Sequence, residues 1–306
     1  MEKNCMSDIN DLLRVDLNAV NEKSKLYSDD GISFFAKNHG VKKIIMKDGA
    51  MCYVKGVDID SGLVSAASSE MYRNIGIATP DVKIFCKKDD RDLVTTIQPD
   101  VTSLKDFETV LAADDKDYAK IASTLFSKNK WEIFYDESFK NRLLTFMTPE
   151  CLEQLQNVFL VDELRTDNDR HAKNYFFYKN KQSKLYEGVI VIDLDNMQIF
   201  NYGVATKDDF ENFLYMQYGS ATPQQSTDFV SQKQRIKDIR ELINEGVLNQ
   251  KNIEVLTRAL KFDFSKTVRE IAKEKKIDKK QKNLILRTVD RLWEYNRETV
   301  GKDLGL

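Results

Sequence analysis

Apolar and polar residues alternate in two successive runs near the start of the chain, in the segment KKIIMKDGAMCYVKG. The dipeptide Asp48-Gly49 lies between the runs, and this pair accepts the positive φ angles of a tight hairpin turn. The next apolar positions recur at helical spacing, at Val64, Ala67, Met71 and Ile75. Two strand-like runs, DVKIF and DLVTTI, follow the helix-stopping signals Gly76 and Pro80. The pattern predicts a hairpin, a helix and two further strands, in that order.

Beyond Thr102 the pattern becomes mainly helical. A helix that opens with Pro149 places four apolar residues on one face: Leu152, Leu155, Val158 and Phe159. A polar turn, RTDNDRHAKN, and two strand-like runs, YFFYK and GVIVIDL, come next. From Asp208 to the end the sequence is again helical. We therefore predict an α+β fold in which strands dominate the first third and helices dominate the rest.

This change of character suggests a division into lobes. We predict an N-terminal extension over residues 1–30, a small N-lobe of strands plus one helix over 31–101, and a helical C-lobe over 102–306. A length of 306 residues suffices for two such lobes.

Composition narrows the class of protein further. The formal net charge of −2 argues against a protein coated in nucleic acid. No run reaches the ~20 apolar residues of a membrane span, and the first 30 residues lack the apolar core of an export signal. We expect a cytoplasmic protein, and specialised secretion into a host-cell cytosol would need no such signal. The four widely spaced cysteines predict reduced thiols rather than disulfides.

The strongest chemical signal is the run DRHAKN at 169–174, followed after a strand–turn–strand by VIDLDN at 191–196. The loop is long enough to aim Asp169 and Asn174 into one cleft, and the hairpin returns the chain so that Asp193 arrives nearby. Amide and carboxylate oxygens suit a Mg²⁺ ion that carries nucleotide phosphates. An aspartate free of metal can orient or deprotonate an attacking hydroxyl. This division of labour is typical of phosphoryl transfer.

These runs resemble the catalytic loop of HipA-like kinases and of phosphatidylinositol 3- and 4-kinases, both relatives of the protein kinases. The resemblance implies a bilobal protein-kinase-like fold with a catalytic loop within 167–196, and ATP and Mg²⁺ as cofactors. It implies that Asp169 is the catalytic base, that Asn174 and Asp193 are Mg²⁺ ligands, and that His171 is a structural member of the loop.

The first third of the chain offers the matching nucleotide-binding residues. Lys55 ends an apolar strand and would meet phosphates, and Glu70 on the following helix is spaced to pair with it, as in protein kinases. The run TTIQPDV falls where the resemblance places the hinge between lobes, so the backbone around Ile97 and Gln98 would hold adenine. We therefore assign Lys55 to both catalysis and nucleotide binding.

Several departures leave alternatives open. The G-x-G-x-x-G phosphate loop is absent, and Gly40 or Gly49 is the best substitute. Asp195 replaces the glycine expected two residues after the metal aspartate, so it is either a second metal ligand or a hairpin cap. The run DRHAKN also suits an ordinary polar turn.

The leading functional hypothesis is a Ser/Thr-directed protein kinase, of a bacterial effector or toxin-like kind. The alternatives are a phosphoinositide kinase, an AMP-transferring enzyme and a nucleotide-binding pseudokinase scaffold. Six lysines within 273–282 indicate either a solvated surface or a site for an inositol polyphosphate or other polyanion.

Overall fold

The structure is a computed structural model, and it describes residues 5–14, 41–45, 50–86, 93–111, 131–167, 170–201, 204, 206–218, 230–277 and 279–306. The strands are β1 Val41–Ile45, β2 Met51–Asp58, β3 Lys83–Cys86, β4 Leu93–Pro99, β5 Phe107–Leu111, β6 Tyr175–Asn180, β7 Gly188–Val191, β8 Gln217–Tyr218 and β9 Val230–Ser231. The helices are α1 Cys5–Leu12, α2 Ile59–Asn74, α3 Glu132–Tyr135, α4 Glu137–Leu143, α5 Pro149–Arg165, α6 Gln198–Asn201, α7 Lys207–Tyr215, α8 Gln232–Asn244, α9 Gln250–Lys261, α10 Phe264–Glu274 and α11 Lys279–Asn296. Shorter 3₁₀ or π turns occupy Val101–Ser103, Ala172–Asn174 and Arg297–Gly301.

The chain divides into two compact units. The first comprises Met1–Lys105, Asp193–Asp195 and Asp263–Leu286. The second comprises Asp106–Ile192, Asn196–Phe262 and Arg287–Leu306. The predicted lobe boundaries follow the chain in order, so they do not include the two later segments that join the first unit. A pattern of apolar residues reports local structure, and it contains no signal that two segments distant in sequence pack together.

The first unit contains a four-stranded antiparallel sheet in the order β1-β2-β4-β3. The predicted order of hairpin, helix, strand and strand is confirmed. The predicted turn at Asp48-Gly49 lies outside the described residues.

Helix α2 lies close to this sheet. Its first turn is capped by Asp58, whose carboxylate accepts a hydrogen bond from the Ser61 N–H at 2.8 Å. A Cβ atom at Gly62 would lie 2.5 Å from Cγ2 of Val94, so only glycine permits this close approach to β4. Gly76 follows the helix with a φ of +90°, as the predicted helix stop requires.

Helix α10 comes from the last quarter of the sequence and packs against α2 within the first unit. Its buried face is formed by Phe264, Ser265, Thr267, Val268 and Ala272. These positions recur every three to four residues, so α10 is an amphipathic helix whose apolar side is covered.

The second unit is mostly helical and contains the three-stranded antiparallel sheet β5-β6-β7. Strands β6 and β7 match the predicted runs, whereas β5 was not predicted because its residues are only partly buried and show no clear alternation. Helix α5 begins at Pro149 after the capping residue Thr148, and it ends at Arg165 before a C-terminal cap at Thr166, whose φ is 61°. The four predicted apolar residues of α5 are buried.

Small antiparallel sheets with a helical majority confirm the predicted α+β class, and the bilobal arrangement stays a prediction. Cys52 and Cys151 are buried free thiols, as predicted. Among the helices described, none is long and apolar enough to cross a membrane.

Candidate active site

Lys55 lies in β2, opposite Thr96 of β4, and its ammonium group contacts two carboxylates. Lys55 Nζ is 3.0 Å from Asp193 Oδ1 and 2.8 Å from Asp195 Oδ2. All three side chains are partly exposed, at 32%, 38% and 23% respectively. We call Lys55, Asp193 and Asp195 the Lys55 cluster. It joins a strand of the first unit to the Asp-Leu-Asp run that the sequence singled out.

The two carboxylates of the Lys55 cluster stabilise a positive charge between them. Burial by itself lowers the pKa of the Lys55 ammonium, but the two carboxylates outweigh burial and raise this pKa above its ordinary value. Burial and the neighbouring Asp193 charge raise the pKa of Asp195, and Lys55 opposes them only in part. By formal charge, the cluster has two carboxylates for one ammonium.

Asp193 has an unusual backbone conformation. Its φ is 57°, in the left-handed region that aspartate and asparagine enter more readily than other non-glycine residues. Leu194, the next residue, is 2% exposed and anchors the run between its two aspartates. Such local strain often accompanies functional positions, because the surroundings must hold it in place.

The structure does not show the predicted ion pair between Lys55 and Glu70, because Lys55 contacts Asp193 and Asp195 here, and a Lys55–Glu70 pair in the nucleotide-bound state stays a prediction. Glu70 lies on a face of α2 that it shares with Ala66 and Arg73, and this face lines a cavity of about 510 Å³ that also includes Lys83 and residues of α10. Burial raises the pKa of the Glu70 carboxyl, and the charge of Lys83 opposes this effect. The helical rotation of α2 therefore directs Glu70 toward this cavity, and Asp193 and Asp195 supply the carboxylates for Lys55.

The predicted hinge residues lie within β4. Ile97 is 1% exposed and pairs with Val54, and Gln98 pairs with Tyr53. The strand continues to Pro99, and the next N–H, that of Asp100, donates to the Met51 carbonyl at 2.8 Å. A role for the backbone of Ile97 and Gln98 in holding adenine stays a prediction.

Asp169, the predicted base, lies outside the described residues, but its neighbour Arg170 is well fixed in the second unit. The Arg170 guanidinium donates to Asp162 at 2.9 and 3.2 Å and to Asp167 at 2.9 Å. It also donates to the Ile192 carbonyl at 2.6 Å. One side chain therefore links the end of α5, the start of the predicted catalytic loop and the residue before Asp193 in sequence.

Arg165 completes a group that we call the buried charge network: Asp162, Arg165, Asp167 and Arg170. The Arg165 side chain is fully buried, donates to Asp167 at 3.3 Å and lies 3.8 Å from Asp162. Two arginines and two aspartates balance formally. Sequence reasoning missed this network, although Asp162 within the apolar stretch VFLVDEL was a signal, because a buried carboxylate requires a partner.

Asn174, a predicted metal ligand, is the last residue of the short 3₁₀ turn that directly precedes β6. His171 caps this turn, since its Nδ1 accepts a hydrogen bond from the Lys173 N–H at 3.2 Å. The Ile192 N–H donates to the Asn174 carbonyl at 3.1 Å, so the β6–β7 hairpin closes beside Asn174. The hairpin thus returns the chain as the sequence predicted, and the roles of Asn174 and Asp193 toward metal stay predictions.

The donor set fits a magnesium–nucleotide complex better than a metal cage made of protein alone. The described part of the chain has no group of three or more His, Cys, Asp or Glu side chains arranged around a metal position. Mg²⁺ is usually held by one or two carboxylates together with substrate phosphates and water. Asp193 and Asp195, already gathered around one cation, match that requirement.

Comparison with known proteins identifies solved structures that are similar to this chain in fold. No protein-family model and no curated protein matches the sequence. The fold is that of the HipA-like atypical kinases. The Helicobacter pylori proinflammatory kinase CtkA is 13% identical, with a TM-score of 0.58, and the match covers 87% of this chain and 92% of that chain.

A second match is a chain from the HipA–HipB toxin–antitoxin system of Shewanella oneidensis MR-1 in complex with operator DNA. It is 14% identical, with a TM-score of 0.51, and the match covers 82% of this chain and 58% of that chain. The sequence resemblance to HipA-like kinases is therefore confirmed at the level of fold.

Proposed function

We propose that this protein is an ATP- and Mg²⁺-dependent phosphotransferase that acts on Ser or Thr residues of proteins. The observation that carries the proposal is the Lys55 cluster, in which a strand lysine meets the two aspartates of the Asp-Leu-Asp run. A kinase-like fold supports it, because related folds gather a lysine and an acidic metal ligand around the nucleotide phosphates.

We assign each residue a role in the reaction. Lys55 holds the nucleotide phosphates, and Asn174 and Asp193 hold the metal. When bound, Mg²⁺ neutralises charge on the phosphoryl group during transfer. Asp169 accepts the proton of the attacking hydroxyl. Arg170 positions the loop, since its guanidinium contacts the residues on either side of it.

The partners are an acceptor protein and, at a second surface, a polyanion. The similarity to a proinflammatory kinase supports an effector-like role in the cytosol of a host cell. The lysine-rich segment 273–282 is proposed as the polyanion site. Lys275 already pairs with Glu274 at 2.8 Å and lies 6.0 Å from the Phe85 ring centroid, so the polyanion would compete with a local carboxylate.

The test is label transfer with ATP labelled at either the γ- or the α-phosphate, supplied with protein acceptors or with phosphoinositide vesicles. We expect Mg²⁺-dependent transfer of the γ-label to Ser and Thr. Asp193→Asn should reduce the rate on the order of 10³-fold, which corresponds to ~4 kcal/mol of transition-state free energy. Asparagine tolerates the left-handed φ of Asp193, so this variant preserves the backbone.

The matched control is Asp106→Asn, which removes an exposed carboxylate and should leave the rate unchanged. Transfer of the α-label would indicate AMP transfer instead, and labelled lipid would indicate a phosphoinositide kinase. Nucleotide binding without any transfer would contradict the proposal and support a pseudokinase.

A further inference from the structure

The contacts of the Asp195 carboxylate distinguish between the two roles that the sequence left open. If Asp195 were a hairpin cap, its carboxylate would accept hydrogen bonds from backbone N–H groups. Within the described residues its contacts are with the Lys55 ammonium, at 2.8 Å, and with the neighbouring Asp193 carboxyl. The structure thus favours the first of the two alternatives left open by the sequence, a second metal ligand.

The Lys55 ammonium lies between the carboxylates of Asp193 and Asp195. Its nitrogen contacts one oxygen of each aspartate, at 3.0 and 2.8 Å. The two carboxylates therefore converge on a single cation. With both ionised, one ammonium leaves the cluster with a net negative charge, whereas a divalent cation would balance it. The cluster is partly exposed, so an ion from solvent can reach it.

We propose that Asp195 holds the divalent cation together with Asp193, and that Lys55 occupies the cation position in the nucleotide-free protein. This inference rests on the proposed function, because it assigns a further residue to the same metal–nucleotide site. With a divalent cation held by both carboxylates, the Lys55 ammonium would no longer contact them and would be available to the nucleotide phosphates.

Lys55 should therefore lower the affinity for the metal in the absence of nucleotide and raise the affinity for the metal–nucleotide complex. Alone, the metal competes with the ammonium for the same oxygens, so Lys55 weakens metal binding. With nucleotide present, the ammonium neutralises phosphate charge, so Lys55 strengthens binding of the metal–nucleotide complex. A residue that only stabilises the fold would not produce this reversal.

The test is a titration of the full chain with Mn²⁺ alone, in which free Mn²⁺ is measured by electron paramagnetic resonance. We expect Lys55→Met to bind Mn²⁺ at least about tenfold more tightly than wild type, because an ammonium in direct contact with both ligands is removed. Adding Asp195→Asn to Lys55→Met should abolish that gain. The same titration with Mn²⁺ and ADP should show weaker binding for Lys55→Met than for wild type.

Two controls keep the test specific. Lys83→Met removes a strand lysine of the same unit that pairs with Asp81 at 2.9 Å, and it should not change Mn²⁺ binding. Lys55→Arg keeps a positive charge beside both carboxylates, so it should not show the gain in Mn²⁺ affinity expected for Lys55→Met. Circular dichroism checks the fold of each variant, and Lys55→Gln replaces Lys55→Met if the latter does not fold.

Unchanged Mn²⁺ affinity in folded Lys55→Met or Lys55→Gln would overturn the exchange between Lys55 and metal. Tight binding that persists without the Asp195 carboxylate would overturn its role as a ligand. Failure of the proposed function can be distinguished from these outcomes. In that case phosphate transfer would be absent, while the Mn²⁺ affinities of the variants would still differ as described.

Discussion

The molecule contains two groups of acidic and basic side chains that differ in exposure and in charge balance. The buried charge network has side chains that are at most 6% exposed, and its two arginines match its two aspartates. The Lys55 cluster is 23% to 38% exposed and has two carboxylates for one ammonium. The balanced group is enclosed by protein, and the unbalanced group is open to solvent.

This difference separates a structural role from a chemical one. A buried charge must be paired and hydrogen-bonded, because the desolvation cost of an isolated ion is large. A balanced network therefore holds its surroundings in place but has no capacity for a further ion. An exposed cluster with excess negative charge can accept a cation at little structural cost. The run that carries Asp193 combines this excess with a left-handed backbone, a conformation that often accompanies functional positions.

The largest effect on stability is expected when the balance of the buried network is broken. Arg170→Met would leave the two buried carboxylates of Asp162 and Asp167 with one guanidinium, that of Arg165, in place of two. Removing one partner of such a network costs about 3–5 kcal/mol. Urea denaturation should show this loss in the free energy of unfolding.

Lys55→Met is the matched control, since it also replaces a paired cation with methionine. Because the Lys55 cluster is partly exposed, we expect a change within about 1 kcal/mol. Arg170→Lys should fall between the two, because lysine keeps the charge but lacks the planar fork. Equal stability losses for Arg170→Met and Lys55→Met would remove the distinction between the two clusters.

The ion pair between Asp100 and Lys43 is intermediate between the two groups, because its carboxylate is buried and its ammonium is exposed. Its Oδ1 accepts hydrogen bonds from the Thr102 N–H and hydroxyl at 2.9 and 2.7 Å, and Lys43 forms an ion pair with it. Burial by itself raises the pKa of Asp100, but the hydrogen bonds from Lys43 and Thr102 outweigh it and hold this pKa below its ordinary value.

A depressed pKa stabilises the folded protein above the unfolded pKa of about 3.9, and the effect is lost as pH falls through the folded pKa. Asp100→Asn should therefore lower the free energy of unfolding by about 1 kcal/mol at pH 7 through weaker bonds to Thr102. The difference from wild type should shrink below pH ~4. Denaturation at pH 7, 5 and 3 would test this, and a difference that grows on acidification would contradict it.

Sequence reasoning succeeded where the signal was local. The order of strands around α2, the Pro149 helix and the β6–β7 hairpin all follow from apolar periodicity and turn residues, and the structure confirms them. The Asp-Leu-Asp run was likewise found from a short motif. Its contact with Lys55, 138 residues away in sequence from Asp193, depends on packing that periodicity does not describe.

The failures have the same origin. Glu70 has the correct spacing from Lys55, but the rotation of α2 about its axis decides which face meets the strand. Two contacts of α2 accompany that rotation: Gly62 permits the close approach to β4, and α10 packs against α2 and lines the cavity beside Glu70. Helix α10 lies about 200 residues further along the chain, so no local pattern around Glu70 could reveal it.

The smallest expected effect on stability is that of Asp195 in the absence of metal. Its pKa is shifted in the opposite direction to that of Asp100, so stability should depend on pH with the opposite sign. Burial and the Asp193 charge raise the pKa of Asp195. A raised carboxyl pKa stabilises the folded protein below the unfolded pKa of about 3.9, and this contribution is lost as pH rises through the folded pKa. Relative to Asp195→Asn, the wild type should therefore lose stability as pH increases from about 4.

The change should stay below about 1 kcal/mol, because Asp195 is partly exposed and Lys55 offsets part of the repulsion. Urea denaturation of both proteins between pH 3.5 and 7, in buffer containing a metal chelator, measures it. Adding Mg²⁺ at pH 7 should then favour the wild type, because only the wild type retains both carboxylates. A wild-type advantage that increases with pH in the chelator would show that Lys55 fully compensates both aspartates, and the unbalanced charge assigned to the Lys55 cluster would be wrong.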